Sequence, residues 1–185
     1  MGFESFNFPP KIENKDTKKA EKQKIWDETA KKVEIITDGL GMGIDKNIKE
    51  VVISFLVNGF NTEQSCEGHR EKERGLPFPW VDVSAPEPEG WQKNDVLKNK
   101  WLQENLKQRE EMASLLKEFY SPEKTMGDEE LILQNKGVYG AFRIFSKGAE
   151  KIESKSEQPS QEKLELYRKE MRAFADFLKE KYFSQ

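Results

Sequence analysis

The stretch DKNIKEVVISFLVNGFNTEQSCEGH, residues 45–69, determines which class of fold this chain adopts. Its first half places apolar residues three and four positions apart and ends in an Asn-Gly pair, which predicts an amphipathic helix with Asp45 as its N-cap. Phe60 to Ser65 then predicts a short strand, followed by a glycine turn. A helix that leads directly into a strand and a turn indicates a fold in which helices pack on a sheet.

Further strands are predicted downstream of this stretch. In Trp80 to Ser84 the valines alternate with Trp80, Asp82 and Ser84, which predicts a strand with two distinct faces. Leu131 to Leu133 and Val138 to Phe145 flank a three-residue link that ends in a glycine, and this pattern predicts a hairpin. Gly140 lies inside the second of these segments, where a glycine marks a bulge or a close approach to a ligand.

Three more helices are predicted from apolar stripes at helical spacing, over residues 16–37, over residues 96–120 and after a capping Ser160. Residues 1–14 are aromatic and irregular and indicate an arm, and residues 148–160 indicate a polar linker. We therefore predict one α+β domain over residues 1–185, in which a small antiparallel sheet of about four strands packs with about four helices.

The charge and the apolar content of the chain indicate which classes of partner to expect. The 31 basic and 34 acidic residues give a net charge of −3 and are interspersed, so no strong signal for nucleic acid stands out. No apolar run reaches the ~18 residues of a membrane span, which predicts no membrane partner. A chain with one cysteine cannot form an intramolecular disulfide, and we expect a cytoplasmic protein.

The cysteine and the histidine, each present once in the chain, lie three positions apart in Ser65-Cys66-Glu67-Gly68-His69. A thiolate and an imidazole are both zinc ligands, so this turn is a candidate metal site with zinc as the candidate cofactor. Two ligands are too few, and the further oxygen donors nearest in sequence are Glu67 and Asp82. The metal set predicted from sequence is therefore Cys66, His69 and Asp82.

Other readings of the same turn remain open. His69 near Cys66 could lower the thiol pKa and create a nucleophile, and a free cysteine at a strand end is also an ordinary buried residue. As a ligand site, the turn would use Ser65 through His69 together with Trp80, which offers a stacking ring, and Arg143, whose fork suits an anion. The sequence contains no phosphate loop, dinucleotide fingerprint or nucleophile elbow.

The segment from Asp45 to Ser84 resembles part of a group of small uncharacterised bacterial and phage proteins. The resemblance is carried by Gly59-x-x-Thr62-x-x-Ser65-Cys66-x-Gly68-His69. It implies a compact α+β unit with the cysteine-histidine turn at a strand end, and it brings no established activity.

Three classes of function follow from these residues. The first is binding of a small ligand or a metal at the Ser65–His69 turn. The second is an enzyme that uses Cys66 and His69 for hydrolysis or group transfer. The third is a protein-interaction module of phage or mobile-element type, which would hold a protein partner through the N-terminal arm and the last helix.

Overall fold

The computed structural model of the protein describes residues 15–37, 41–71, 75–121, 127–155 and 158–185. Within these ranges the chain forms five α-helices and a four-stranded antiparallel sheet, so the predicted α+β fold is confirmed. None of these helices combines the length and the apolar character that crossing a bilayer requires. The predicted N-terminal arm, residues 1–14, lies outside the described residues.

Along the described part of the chain, two α-helices are followed by two strands, one α-helix, two strands and two α-helices. The helices are α1 (Lys15–Ile35), α2 (Lys49–Val57), α3 (Asp95–Phe119), α4 (Ala149–Lys155) and α5 (Gln161–Ser184). The strands are β1 (Thr62–Cys66), β2 (Trp80–Val83), β3 (Leu131–Lys136) and β4 (Ala141–Ser146). The strand order in the sheet is β1-β2-β4-β3, so β2 and β4 are the central strands.

The main core lies between one face of the sheet and the helices α2, α3 and α5. Val81 and Ile144 are cross-strand neighbours on that face, and both are fully buried. Because side chains alternate along a strand, Trp80, Asp82 and Arg143 lie on the opposite face. The helices contribute apolar side chains to the main core: Ile48, Val51, Phe55, Met112, Leu116, Met171, Phe174, Ala175 and Leu178.

Helix α5 begins where the sequence predicts. The Ser160 side chain accepts a hydrogen bond from the Lys163 amide at 3.2 Å, which satisfies one of the free amides at the helix start. The apolar stripe of α5 is buried within the protein: Leu164, Tyr167, Met171, Phe174, Ala175, Leu178 and Tyr182. This stripe is therefore occupied by packing within the protein.

Helix α2 starts three residues later than a helix capped by Asp45 would. Its N-cap position is Ile48, which provides no side-chain cap. The carboxylate of Asp45 instead accepts hydrogen bonds from residues of the turn after β1. A tertiary contact has therefore replaced the local cap that the sequence suggested.

The turn of the β3–β4 hairpin lies further along the chain than the sequence predicts. Strand β3 continues to Lys136, and residues 137–140 form the turn, so Gly140 lies in the turn and not inside a strand. Gly140 has a φ of 78°, and a Cβ there would lie 3.2 Å from Leu102 Cδ1 and 3.4 Å from the Leu102 carbonyl oxygen. The close approach that this glycine permits is to α3, not to a ligand.

The range 148–160 is not a linker throughout, because α4 occupies seven of its residues. Ala149 and Ile152 are buried in a small cluster with Phe78, Phe145 and Tyr167. This contact covers part of the sheet face opposite the main core and explains why a charged segment forms a helix. Two apolar residues are too weak a stripe to predict a helix from sequence.

We predict that replacing Phe174 with alanine lowers the free energy of unfolding by about 3 to 5 kcal/mol, as other large aromatic deletions in cores do. Phe174 is fully buried and makes edge contacts with Phe55 and Phe119. The matched control is Leu166→Ala on the same helix, where the side chain is 54% exposed and the loss should stay below about 1 kcal/mol. Urea unfolding followed by circular dichroism measures both values, and equal losses would contradict the assigned core.

Candidate metal centre

The turn after β1 is held in place by glycine and by backbone hydrogen bonds. Cys66 is the last residue of β1 and pairs with Trp80 of β2. The His69 amide donates to the Leu76 carbonyl at 3.0 Å, which closes the loop that follows. Gly68 has a φ of 83°, and a Cβ there would lie 2.7 Å from the Phe78 carbonyl carbon, so this position accepts only glycine. The turn therefore presents Cys66 and His69 in a defined arrangement.

Asp45, Cys66 and His69 come together at this turn. A carboxylate oxygen, the thiol sulfur and an imidazole nitrogen from the three residues all lie within 4.8 Å of one another. Asp45 Oδ2 is 2.9 Å from His69 Nε2 and accepts the Glu67 amide at 3.2 Å. Cys66 and His69 are buried, and the Asp45 side chain is 24% exposed. The geometry thus confirms the proximity of cysteine and histidine and adds a third donor.

Asp45 was not predicted as a site residue. It lies 21 positions before Cys66, on the far side of α2, and its sequence context indicated an N-cap. The Asp45 carboxylate contacts the turn because the chain between them folds back through α2 and β1. The available signal was an acidic residue before a helix, and that signal is too common to mark a site.

Glu67, the other oxygen donor that the sequence suggests, makes different contacts. Its Oε2 accepts the Asn47 amide at 2.8 Å, just before α2, and its Oε1 lies 4.0 Å from Arg168 Nη2. An acidic group beside a helix start is favourable because the first amides of a helix lack internal partners. Glu67 therefore joins the turn to the start of α2 and is not one of the three clustered donors.

The Cys66 thiol does not have the environment of an activated nucleophile. Burial raises the pKa of this thiol to about 11, and the nearby carboxylates of Asp45 and Glu67 act in the same direction. The Gly68 amide donates to the sulfur at 3.3 Å and opposes the shift only in part. The group that approaches the His69 ring is Asp45 and not the sulfur. The thiol is therefore protonated at neutral pH unless a cation displaces its proton.

Asp82, predicted as a metal ligand, lies outside the cluster. It forms a two-point ion pair with Arg143, in which Nε donates to Oδ1 at 2.7 Å and Nη2 donates to Oδ2 at 3.0 Å. Lys136 Nζ lies 3.1 Å from the same Oδ2. The reason is the strand register, because Asp82 and Arg143 are directly opposite on β2 and β4. The residue that lies with Cys66 and His69 is therefore Asp45 and not Asp82.

Arg143 and Trp80 form a separate polar layer with Asp82. The Arg143 guanidinium carbon lies 3.8 Å from the centre of the Trp80 ring, a cation–π contact. Two of the three guanidinium nitrogens bind Asp82, so this ion pair already engages Arg143. Ser65 is paired with Val81 in β1–β2 and, by strand alternation, points away from the face that carries Cys66. Trp80 lies directly opposite Cys66 on the neighbouring strand, but none of these three predicted ligand residues belongs to the cluster of Asp45, Cys66 and His69.

Comparison of this chain with known proteins gives no relative on which an activity could be based. No family model matches it, and neither does a curated protein or a solved structure. The function has to be inferred from the geometry of the site itself.

The raised thiol pKa generates a prediction for Cys66 reactivity. Alkylation by iodoacetamide in the presence of a chelator should be at least roughly a hundredfold slower at pH 7.5 than for an exposed cysteine, because the thiolate fraction is small. The logarithm of the rate should keep rising in proportion to pH up to about pH 10, since the pKa is about 11. A fast reaction that levels off near neutral pH would instead identify an activated thiolate. Protein unfolded in urea is the control.

The Asp82–Arg143 pair generates a stability prediction. Asp82→Asn should lower the free energy of unfolding by about 3 to 5 kcal/mol, because it leaves a buried guanidinium without its counter-charge. In the control, Asp95→Asn removes the partner of Lys98 from a pair in which Asp95 is 95% exposed, and the free energy of unfolding should stay close to that of wild type because water screens the pair. The double variant Asp82→Leu with Arg143→Met should recover most of the loss. Equal losses for both asparagine variants in urea unfolding would show that burial of the pair has no consequence.

Proposed function

We propose that this protein binds a divalent metal ion of the zinc type through Asp45, Cys66 and His69. The observation that carries the proposal is the convergence of the three donor atoms within 4.8 Å of one another. Two of the donors come from the turn after β1 and the third from the segment before α2, so a bound ion would join two parts of the chain.

The chemistry of the donor set favours zinc over magnesium or calcium. Thiolate and imidazole are ligands for zinc and similar transition metals, whereas magnesium and calcium take oxygen ligands almost exclusively. A set of one sulfur, one nitrogen and one oxygen is within the range that zinc accepts, with a fourth position for water or another donor. Cobalt(II), which accepts the same ligands, is a suitable spectroscopic substitute.

The distances support binding with little movement of the chain. Ligand atoms around a tetrahedral zinc ion lie about 3.3 to 3.6 Å apart, given bond lengths of about 2.0 to 2.3 Å. The donor atoms here lie within 4.8 Å, so contraction by roughly 1 Å at the longest separation is sufficient. Between Asp45 and His69, which are 2.9 Å apart, the ion would take the place of the shared hydrogen.

The surroundings favour binding over catalysis. The crevice beside the turn, lined by residues that include Asn47, Glu67 and Arg168, is too narrow to admit a water molecule. The thiol is buried and its pKa is raised, which is unfavourable for nucleophilic attack. Burial of Cys66 and His69 limits access to the fourth position that the three donors leave open, and a catalytic ion needs that position for substrate.

The decisive experiment measures metal affinity in untagged protein after removal of metal with a chelator. We expect one zinc ion per chain, and cobalt(II) should give the sulfur-to-metal absorption band and the strong visible bands of tetrahedral coordination. Cys66→Ser, His69→Gln and Asp45→Asn should each weaken zinc binding by more than about 100-fold, because loss of a direct ligand exceeds the 10–100-fold effect of an outer partner.

Glu63→Gln is the matched control, because it removes an exposed carboxylate on β1 only three residues before Cys66. It should leave zinc affinity unchanged. Circular dichroism of every variant without metal establishes that the fold is intact. Folded wild-type protein that binds neither zinc nor cobalt, or a Cys66→Ser variant that binds as tightly as wild type, would leave the turn with a purely structural role.

A further inference from the structure

Arg168 of α5 holds the peptide units that connect the two ligands of the turn. Its Nε donates to the Glu67 carbonyl at 3.0 Å, and its Nη2 donates to the Gly68 carbonyl at 2.6 Å. These carbonyls belong to the two residues between Cys66 and His69. One planar guanidinium therefore fixes two successive peptide groups, which lie about one hundred residues before Arg168 in the chain.

The guanidinium is itself oriented by its surroundings. Its Nη1 donates to Glu165 Oε1 at 2.6 Å, one turn earlier on α5, and the Arg168 side chain is only 17% exposed. A charged donor bound to backbone carbonyls makes stronger hydrogen bonds than a neutral donor, and partial burial reduces competition from water. The position of the turn is thus linked to α5, which the main core holds in place.

The contact with Arg168 adds to the glycine and the backbone hydrogen bonds that hold the turn. Gly68 permits the left-handed backbone that the turn requires, but glycine also gives the unfolded turn the greatest freedom. Ligands that are already placed before the ion arrives bind it more tightly, since less ordering accompanies binding. Groups that orient metal ligands from outside typically change metal affinity by about 10–100-fold when they are removed.

We propose that Arg168 is a positioning residue for the metal centre, which sets the spacing of Cys66 and His69 through the Glu67 and Gly68 carbonyls. This inference rests on the proposed metal-binding function. Arg168 touches none of the three donors directly in this arrangement, and it acts on the peptide groups between two of them.

The test compares Arg168→Gln, Arg168→Lys and Arg172→Gln for zinc affinity and for the visible spectrum of the cobalt(II) complex. Arg168→Gln should weaken zinc binding by about 10–100-fold and lower the intensity of the tetrahedral cobalt bands. Arg168→Lys keeps the charge but cannot span both carbonyls, so its affinity should fall between those of wild type and Arg168→Gln. Arg172→Gln removes the same charge from an exposed position one turn further along α5 and should match wild type.

A role limited to stability would appear differently. In that case Arg168→Gln would unfold at lower urea concentration without metal, yet its zinc affinity and cobalt spectrum would match wild type, and the inference would be wrong. If Arg168→Gln does not fold, Arg168→Lys carries the test, and wild-type affinity and spectrum in that variant would equally overturn the inference.

The two proposals fail in different ways. Tight wild-type binding that is unaffected at Arg168 overturns the positioning role and leaves the metal centre intact. Folded wild-type protein that gives no zinc or cobalt complex removes the metal centre, and the positioning role is then wrong as well.

Discussion

The contact of Phe174 with Phe55 and Phe119 joins the three helices that cover the sheet. The ring of Phe174 meets Phe55 at 6.1 Å and Phe119 at 5.3 Å, both edge to face. These three rings belong to α5, α2 and α3, so one buried side chain sets the spacing of all three helices. Aromatic pairs of this kind combine a large buried area with a defined geometry.

Two helices of this core, α2 and α5, position the candidate metal centre. Helix α2 connects Asp45 to β1 and fixes where the carboxylate meets the turn, and α5 carries Arg168 to the turn from the other side. The polar layer of Asp82 and Arg143 is separate and internally balanced, since each charge has its partner across two strands. These two groups of polar residues therefore differ, because the polar layer pairs its own charges and the candidate metal centre gathers donor atoms.

The sequence predicted the elements that rest on strong local patterns. The stripe of α5 with its Ser160 cap and the alternation in β2 are examples, because they reflect burial of one face. It could not predict α4, whose two buried residues become a stripe only when Phe145 is in place. The sequence also could not predict that Asp45 contacts the turn or that Asp82 pairs with Arg143. Both contacts depend on how distant segments pack and on the register of the strands, which local patterns do not contain.

The central strand pair of the sheet has a consequence for how the chain assembles. Strands β2 and β4 align Asp82 with Arg143, which are 61 positions apart, and closing a loop of that length costs about 4 kcal/mol in chain entropy. Helix α3 occupies 25 of the intervening residues. Once formed, this rigid rod replaces much of the flexible loop and leaves fewer conformations to lose. The longest helix thus acts as a spacer that makes the most distant pairing in the sheet accessible.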